Sequence, residues 1–149
     1  MSSISRLSKL RKFFVGEGVI KPNRKYFVFS SDNIRLLFSE LINTIGYENF
    51  YVSTIVGTDL ISENKIRLDY YVVILPEEET VVFRTYLPRD NPVIDSIVDI
   101  VPGVLSSECE THDLLGVVFQ GNQFLKRGFF VSKDIVDKKQ YPLRKDVKV

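Results

Sequence analysis

One run constrains this chain more than any other. Lys65–Leu75 reads Lys-Ile-Arg-Leu-Asp-Tyr-Tyr-Val-Val-Ile-Leu, with Ile66, Leu68, Tyr70, Val72 and Ile74 at every second position. A period of two places those five side chains on one face of a β-strand. The other face begins polar with Arg67 and Asp69, then turns apolar at Tyr71, Val73 and Leu75. A strand apolar on both faces at one end is expected to be covered there. Pro76–Glu79 has turn chemistry, and Thr80–Leu87 returns as the next strand. Upstream, Phe50–Val56 alternates Phe50, Val52, Thr54 and Val56 against Tyr51, Ser53 and Ile55, and Gly57-Thr58-Asp59 reads as the turn behind it. Three such strands in succession predict an antiparallel meander.

An apolar sheet face needs a second layer. Ile34, Leu37, Phe38, Leu41, Ile42 and Ile45 recur at helical spacing after a cap at Ser31 or Asp32, and Gly46 stops the pattern. Lys25–Ser30 reads as a strand before that helix. At the N-terminus, Ile4, Leu7, Leu10 and Phe14 among Arg6, Lys9 and Lys12 predict a short basic amphipathic helix ended by Gly16 and Gly18. After the meander, Asn91 with Pro92 predicts the start of a further helix, with Val93, Ile94, Ile97, Val98 and Val101 as its apolar face and Pro102-Gly103 as its end. The fold class is α+β: a mostly antiparallel sheet of about four strands, helices packed on it, and an extended C-terminal tail. Residues 1–128 read as a single domain and 129–149 as an extended basic tail, since apolar content falls from Phe129 onward.

Composition narrows the function. At 149 residues, 44% hydrophobic and 26% charged, the chain fits one globular domain. Its apolar runs fall short of the ~20 residues that cross a bilayer, and no secretory leader is read at its start. A single cysteine is consistent with a reducing compartment. Missing alanine and tryptophan, with heavy use of Ile, Val and Lys, lean towards a thermophile. The net charge of +1 hides basic ends on an acidic middle: residues 126–149 carry eight Lys/Arg against three Asp.

Ser107–Arg127 holds the only Cys, the only His and a cluster of acids. Ser107 and Glu110 have capping-box spacing, worth ~1 kcal/mol, and Gly116 suits a helix end, so Ser107–Leu115 reads as a capped helix followed by a strand at Val117–Phe119. Glu108, Cys109, His112 and Asp113 are metal-ligand types, but a structural zinc site needs four Cys or His and this chain has one of each. Cys109 with His112 has the i, i+3 spacing of a thiol–imidazole pair, yet its acidic neighbours raise a thiol pKa rather than lower it. Glu110, His112 and Asp113 supply the groups for a stand-alone small enzyme. Basic ends with seven tyrosines supply those for a nucleic-acid-binding module, though no RNP-like motif sits on a strand. An acidic capped helix, a Gly-Asn turn and Lys126-Arg127 suit a docking surface.

On these residues the chain resembles the 30 kDa subunit family of respiratory complex I and the related membrane-bound energy-converting hydrogenases. That family's signature runs Glu-Arg-Glu-x-x-Asp, two bulky apolar residues and Gly, then a Gly-His turn and basic residues. Glu108, Glu110, Asp113, Leu114, Leu115 and Gly116 match its first part; Phe119, Gly121, Lys126 and Arg127 continue it. Val56–Asp59, the segment Asn91–Pro102 and Tyr141–Lys145 resemble three further blocks, so the likeness spans roughly Phe50 to Asp146. Cys109 stands where the family usually has Arg, Asn122 where His is common, and Gly128 where an aliphatic residue is common. His112 and the Gly-Asn turn lean to the hydrogenase branch.

The resemblance implies a non-catalytic subunit that binds no cofactor itself and scaffolds electron transfer on the cytoplasmic side of the cell membrane. Its partners would be the large subunit with the nickel-iron or quinone site and the small iron–sulfur subunits. It implies no nucleic acid, and membrane contact only through the complex. Glu108, Glu110, Asp113, Gly116, Gly121, Lys126, Arg127 and Arg144 are the expected partner-binding residues, with the three acids as one charged face. The electron donor and acceptor are set in other subunits.

Overall fold

The computed structural model describes residues 3–128 and 130–146. Among the described residues seven strands form: β1 (Phe14–Ile20), β2 (Arg24–Phe29), β3 (Phe50–Leu60), β4 (Lys65–Ile74), β5 (Glu79–Pro88), β6 (Val93–Asp95) and β7 (Val118–Gln120). The first five make one sheet in the order β1-β2-β5-β4-β3; β6 and β7 pair in parallel as a separate ribbon. The α-helices of the described residues are α1 (Ser3–Arg6), α2 (Ile34–Ile45), α3 (Leu105–Leu115) and α4 (Lys133–Asp137). The fold is α+β with a mostly antiparallel sheet, as the sequence predicts. The exception is β2, which lies parallel to β5 with Phe27 opposite Phe83.

The inner face of β4 is the alternation read from the sequence. Ile66, Leu68, Tyr70, Val72 and Ile74 are all fully buried, and pairing sets Tyr70 beside Phe83 of β5 and Ile55 of β3. α2 covers this face: the Phe38 ring lies 5.7 Å from Tyr70 and 5.8 Å from Phe83, with Ile34, Leu37 and Leu41 fully buried alongside. Gly46 ends α2 at φ +90°, donating its N–H to the Ile42 carbonyl. α2 follows a 3-10 turn, Ser31–Asn33, and has no side-chain cap, contrary to the expected Ser31 or Asp32 cap.

Three expectations change. The N-terminal amphipathic helix is one short turn, α1, followed by a 3-10 turn over Ser8–Phe13. Leu7 and Leu10 do enter the core, but Gly16 and Gly18 sit inside β1 rather than ending a helix. Gly18 faces Tyr26, and any Cβ there would collide with that ring. Next, Gly57-Thr58-Asp59 is not a turn: β3 runs on to Leu60, and the reversal comes at the 3-10 turn Ile61–Glu63 with Asn64 left-handed at φ +55°. A bulge between Val52 and Thr54 shifts the register, so Ile55 turns inward and Val56 outward, against the simple alternation. Finally, Val93–Val101 is no helix. Val93–Asp95 pairs with Val118–Gln120 as β6, because an apolar run this short satisfies either period.

Candidate functional site

α3 packs on the same sheet face as α2, beside β3. Gly57 makes this approach possible: a Cβ there would run into Leu115 Cδ1 and press on Thr111 Cγ2 at 3.4 Å. The capping box does not form. α3 begins at Leu105 behind the 3-10 turn Pro102–Val104, its N-terminus has no side-chain cap, and the Ser107 carbonyl instead accepts the Thr111 hydroxyl at 2.8 Å. The far end is as expected, with Gly116 left-handed at φ +82°.

The acids of α3 do not form one face. Glu108 and Asp113 are completely buried, while Glu110 is exposed. Glu108 Oε1 accepts from Ser96 Oγ at 2.6 Å and Asn122 Nδ2 at 2.9 Å, and Oε2 accepts from the Ile97 N–H at 3.1 Å. Burial pushes its carboxyl above the usual range, against those three donors. The fully buried Tyr70 hydroxyl is pushed up as well, by burial and by Glu108. Asp113 Oδ1 accepts from Arg127 Nε and the Gly128 N–H, both at 3.0 Å, and Oδ2 accepts from the Phe130 N–H at 2.7 Å. Burial opposes its ionisation, but the Phe130 and Gly128 N–H groups and Arg127 outweigh that and hold it below the usual carboxylate range. Each acid thus fastens a loop to α3: Glu108 holds Ser96, Ile97 and Asn122, and Asp113 holds Arg127, Gly128 and Phe130.

A third buried carboxylate on this side of the sheet, Asp59, acts in the same way. Its Oδ1 and Oδ2 accept from Arg89 at 2.7 and 3.0 Å, and Oδ2 also takes the Lys145 N–H at 2.8 Å. The Arg89 hydrogen bonds hold its carboxyl low. Arg89 also meets Asp146 at 2.9 Å. Arg144 donates to the Leu115 carbonyl at 2.7 Å and the Arg89 carbonyl at 3.2 Å. Arg127 also donates to the Gln140 carbonyl and stacks on Tyr141 at 4.1 Å. The four sequence blocks therefore meet in space, and Arg127 and Arg144 are engaged within the chain.

The chemical groups are kept apart. His112 Nδ1 is bonded to the Val117 carbonyl at 2.8 Å, whereas Cys109 Sγ lies 3.6 Å from the Phe124 carbonyl. Burial and Glu108 raise the Cys109 thiol pKa, which leaves it a poor nucleophile. Glu110 and Asp113, expected on one face, point to opposite environments. Among the described residues no group of three or more His, Cys, Asp and Glu is arranged to hold a metal.

What α3 offers outward is a groove of about 690 Å³ between its N-terminal half and the segment after the Gly121 turn. Leu105, Cys109, Phe124 and Leu125 line it, with Lys126 at its edge, and Phe124 is 64% exposed. Gly121 stands exposed at φ +93°. A second hollow joins Arg35, Asp99, Ser96 and Gly121. There Arg35 pairs with both Asp99 oxygens at 2.8 Å and holds that carboxyl down to about 2. Sequence reading misses Phe124 and Arg35; each lacks a motif and is placed only by the folded loops.

Residues 27–149 match the family described as respiratory-chain NADH dehydrogenase, 30 Kd subunit. The chain is 27% identical over 147 residues to an NADH-quinone oxidoreductase subunit from Moorella thermoacetica, covering 96% of this chain and 93% of that one. It is 23% identical to an F(420)H(2) dehydrogenase subunit from Methanosarcina mazei, covering 87% and 78%. Its fold is similar to a chain in the structure of the membrane-bound sulfane sulfur reductase, an archaeal respiratory membrane complex, at TM-score 0.81 and 23% identity, covering 98% of this chain and 83% of that one. It is also similar to a fragment of Nqo5 at TM-score 0.70 and 20% identity, covering 84% and 100%.

Proposed function

The chain belongs to the family of the respiratory-chain NADH dehydrogenase 30 Kd subunit, and on that premise we propose that it is a scaffold in the peripheral arm of its complex. It holds the large subunit, which carries the quinone or nickel-iron site, against the iron–sulfur subunits on the cytoplasmic side of the membrane, and carries no electrons itself. Among the described residues no helix is long and apolar enough to cross a membrane, so membrane contact in this reading comes through the complex. Residues 1–128 act as one domain, and the segment from 129 serves as a tail whose outer side meets partners.

The convergence of the four sequence blocks on three buried carboxylates carries this reading. Asp59, Glu108 and Asp113 fix the outline of one surface. Glu110, the Gly121 turn, Lys126 and the apolar groove then make the contact, while Glu108, Asp113, Gly116, Arg127 and Arg144 position them. Purification of the chain from its own cells through an affinity tag, with mass spectrometry of the recovered subunits, tests the proposal. Equimolar recovery of a large subunit and iron–sulfur subunits is expected. Recovery of this chain alone under every mild extraction condition would sink it.

A further inference from the structure

α2, α3 and the turn Ser8–Phe13 all pack on one face of the five-stranded sheet, and the opposite face is built differently. Asp69 of β4 receives Arg84 of β5 at 2.7 Å, and Arg67 lies 3.4 Å from the same carboxylate. Arg84 in turn lies over the Tyr26 ring of β2 at 4.0 Å. Two more cation–ring pairs share this face: Arg24 over Tyr71 at 5.4 Å and Lys65 over Tyr86 at 5.5 Å. Register places all of them on the side away from the core, since Arg67, Asp69 and Tyr71 alternate with the core residues Ile66, Leu68, Tyr70 and Val72 of β4, although Asp69 is itself buried there. The strands here thus present Arg24, Lys65 and Arg67 above a buried Arg84–Asp69 pair, on a chain whose middle is acidic overall.

This face also exposes apolar and aromatic side chains. Tyr51 is 50% exposed, Val56 39% and Tyr86 37%. Tyrosine and arginine are among the side chains most enriched at the centres of protein interfaces. Single-stranded nucleic acid would need ring faces free for stacking, but Tyr26, Tyr71 and Tyr86 already have theirs taken by cations of this chain.

We propose that this open sheet face docks an acidic protein surface of another subunit, with Arg24, Lys65 and Arg67 meeting its carboxylates and Tyr51, Val56 and Tyr86 its apolar side chains. The inference rests on the chain being a subunit of a complex, and it adds a second contact, on the side of the sheet opposite α3. Arg84 and Asp69 act as the fixed floor; the three outer cations supply selectivity, because only an acidic partner balances them.

The test compares the isolated chain with the complex purified through a tag on it. Nitration of Tyr51 and Tyr86 is followed by mass spectrometry, and a carbodiimide joins Lys65 to any carboxylate in contact. The expected results are slower nitration of both tyrosines in the complex and a cross-link from Lys65 to an Asp or Glu of another subunit. Arg24→Glu with Lys65→Glu, which leaves the Arg67–Asp69 pair in place, should cut retention of that subunit about tenfold or more while the isolated chain still melts cooperatively. Equal nitration in an intact complex overturns the inference and leaves the scaffold reading standing. Protection that disappears on nuclease treatment also overturns it, in favour of nucleic acid. If no complex is recovered, both readings fall.

Discussion

α2 and α3 lie on the same sheet face and are nearly equal in length, yet they are held by different physics. α2 buries Ile34, Leu37, Phe38, Leu41 and Ile45. α3 buries Glu108, Thr111, Asp113 and Leu115. The first is fastened by apolar area, at ~25 cal/mol per Å² removed from water. The second is fastened by directed bonds from carboxylates to loops, and those bonds stabilise only while every donor is in place. A helix of the first kind secures the fold. A helix of the second kind gives loops a fixed shape, which is what a docking surface requires.

Asp113→Ala puts the greatest strain on this contrast. It leaves Arg127 and two backbone N–H groups without their acceptor, at an expected cost of about 3–5 kcal/mol. Phe38→Ala in α2 should cost a similar amount, about 3–5 kcal/mol. Hydrogen exchange separates them: the α2 variant should lower protection throughout the sheet, the α3 variant first around Arg127–Gly128. If both lose protection uniformly, the two helices are not distinct in kind. Gly57→Ala comes next, with about 1–3 kcal/mol of overpacking against Leu115, measured by urea denaturation. An unchanged midpoint would mean that α3 can lift from β3 freely.

Glu108→Gln is a smaller change, since an amide oxygen keeps part of the acceptor role; about 1 kcal/mol is expected. Its pH dependence is the sharper observable. The folded Glu108 carboxyl titrates above its unfolded value. Its contribution is therefore fully present below the ordinary glutamate pKa and is lost as pH rises through the folded pKa. Asp59 and Asp113 titrate below theirs, so they stabilise above the ordinary aspartate pKa and lose that as pH falls through the folded pKa. Against wild type, Glu108→Gln should gain relative stability as pH rises and Asp113→Asn should gain it as pH falls. Parallel curves would remove the distinction between the two sites. Smallest of all, Glu110→Gln should move stability by less than about 0.5 kcal/mol and weaken subunit recovery. A large loss of stability would mean that Glu110 is a fastening residue like its neighbours.

The same contrast explains what can be read in advance. β4 and α2 are legible because burial alone selects their residues, and burial leaves a period in the sequence. The acids of α3 leave no such trace. Glu108 and Asp113 look like surface residues until Ser96, Asn122 and Arg127 arrive from elsewhere in the chain. Glycine misleads for a related reason. Gly16, Gly18 and Gly57 look like stops, but Gly18 and Gly57 are places where another side chain comes too close for a Cβ. The family likeness marks the right blocks as important, while their buried side chains work through loops.

The parallel seam between β2 and β5 sets a timetable. β2 is made early, but its sheet neighbour Val81–Arg84 follows about 56 residues behind. At ~5–20 residues per second, a growing chain carries the β1–β2 hairpin unsupported for roughly three to ten seconds. A lone hairpin is marginal in water; Phe27 waits for its sheet neighbour Phe83, and Phe29 for Tyr70. The earliest part of the sheet to be synthesised is thus among the last to become secure, and the phenylalanines of β2 are where a chaperone would have most to shield.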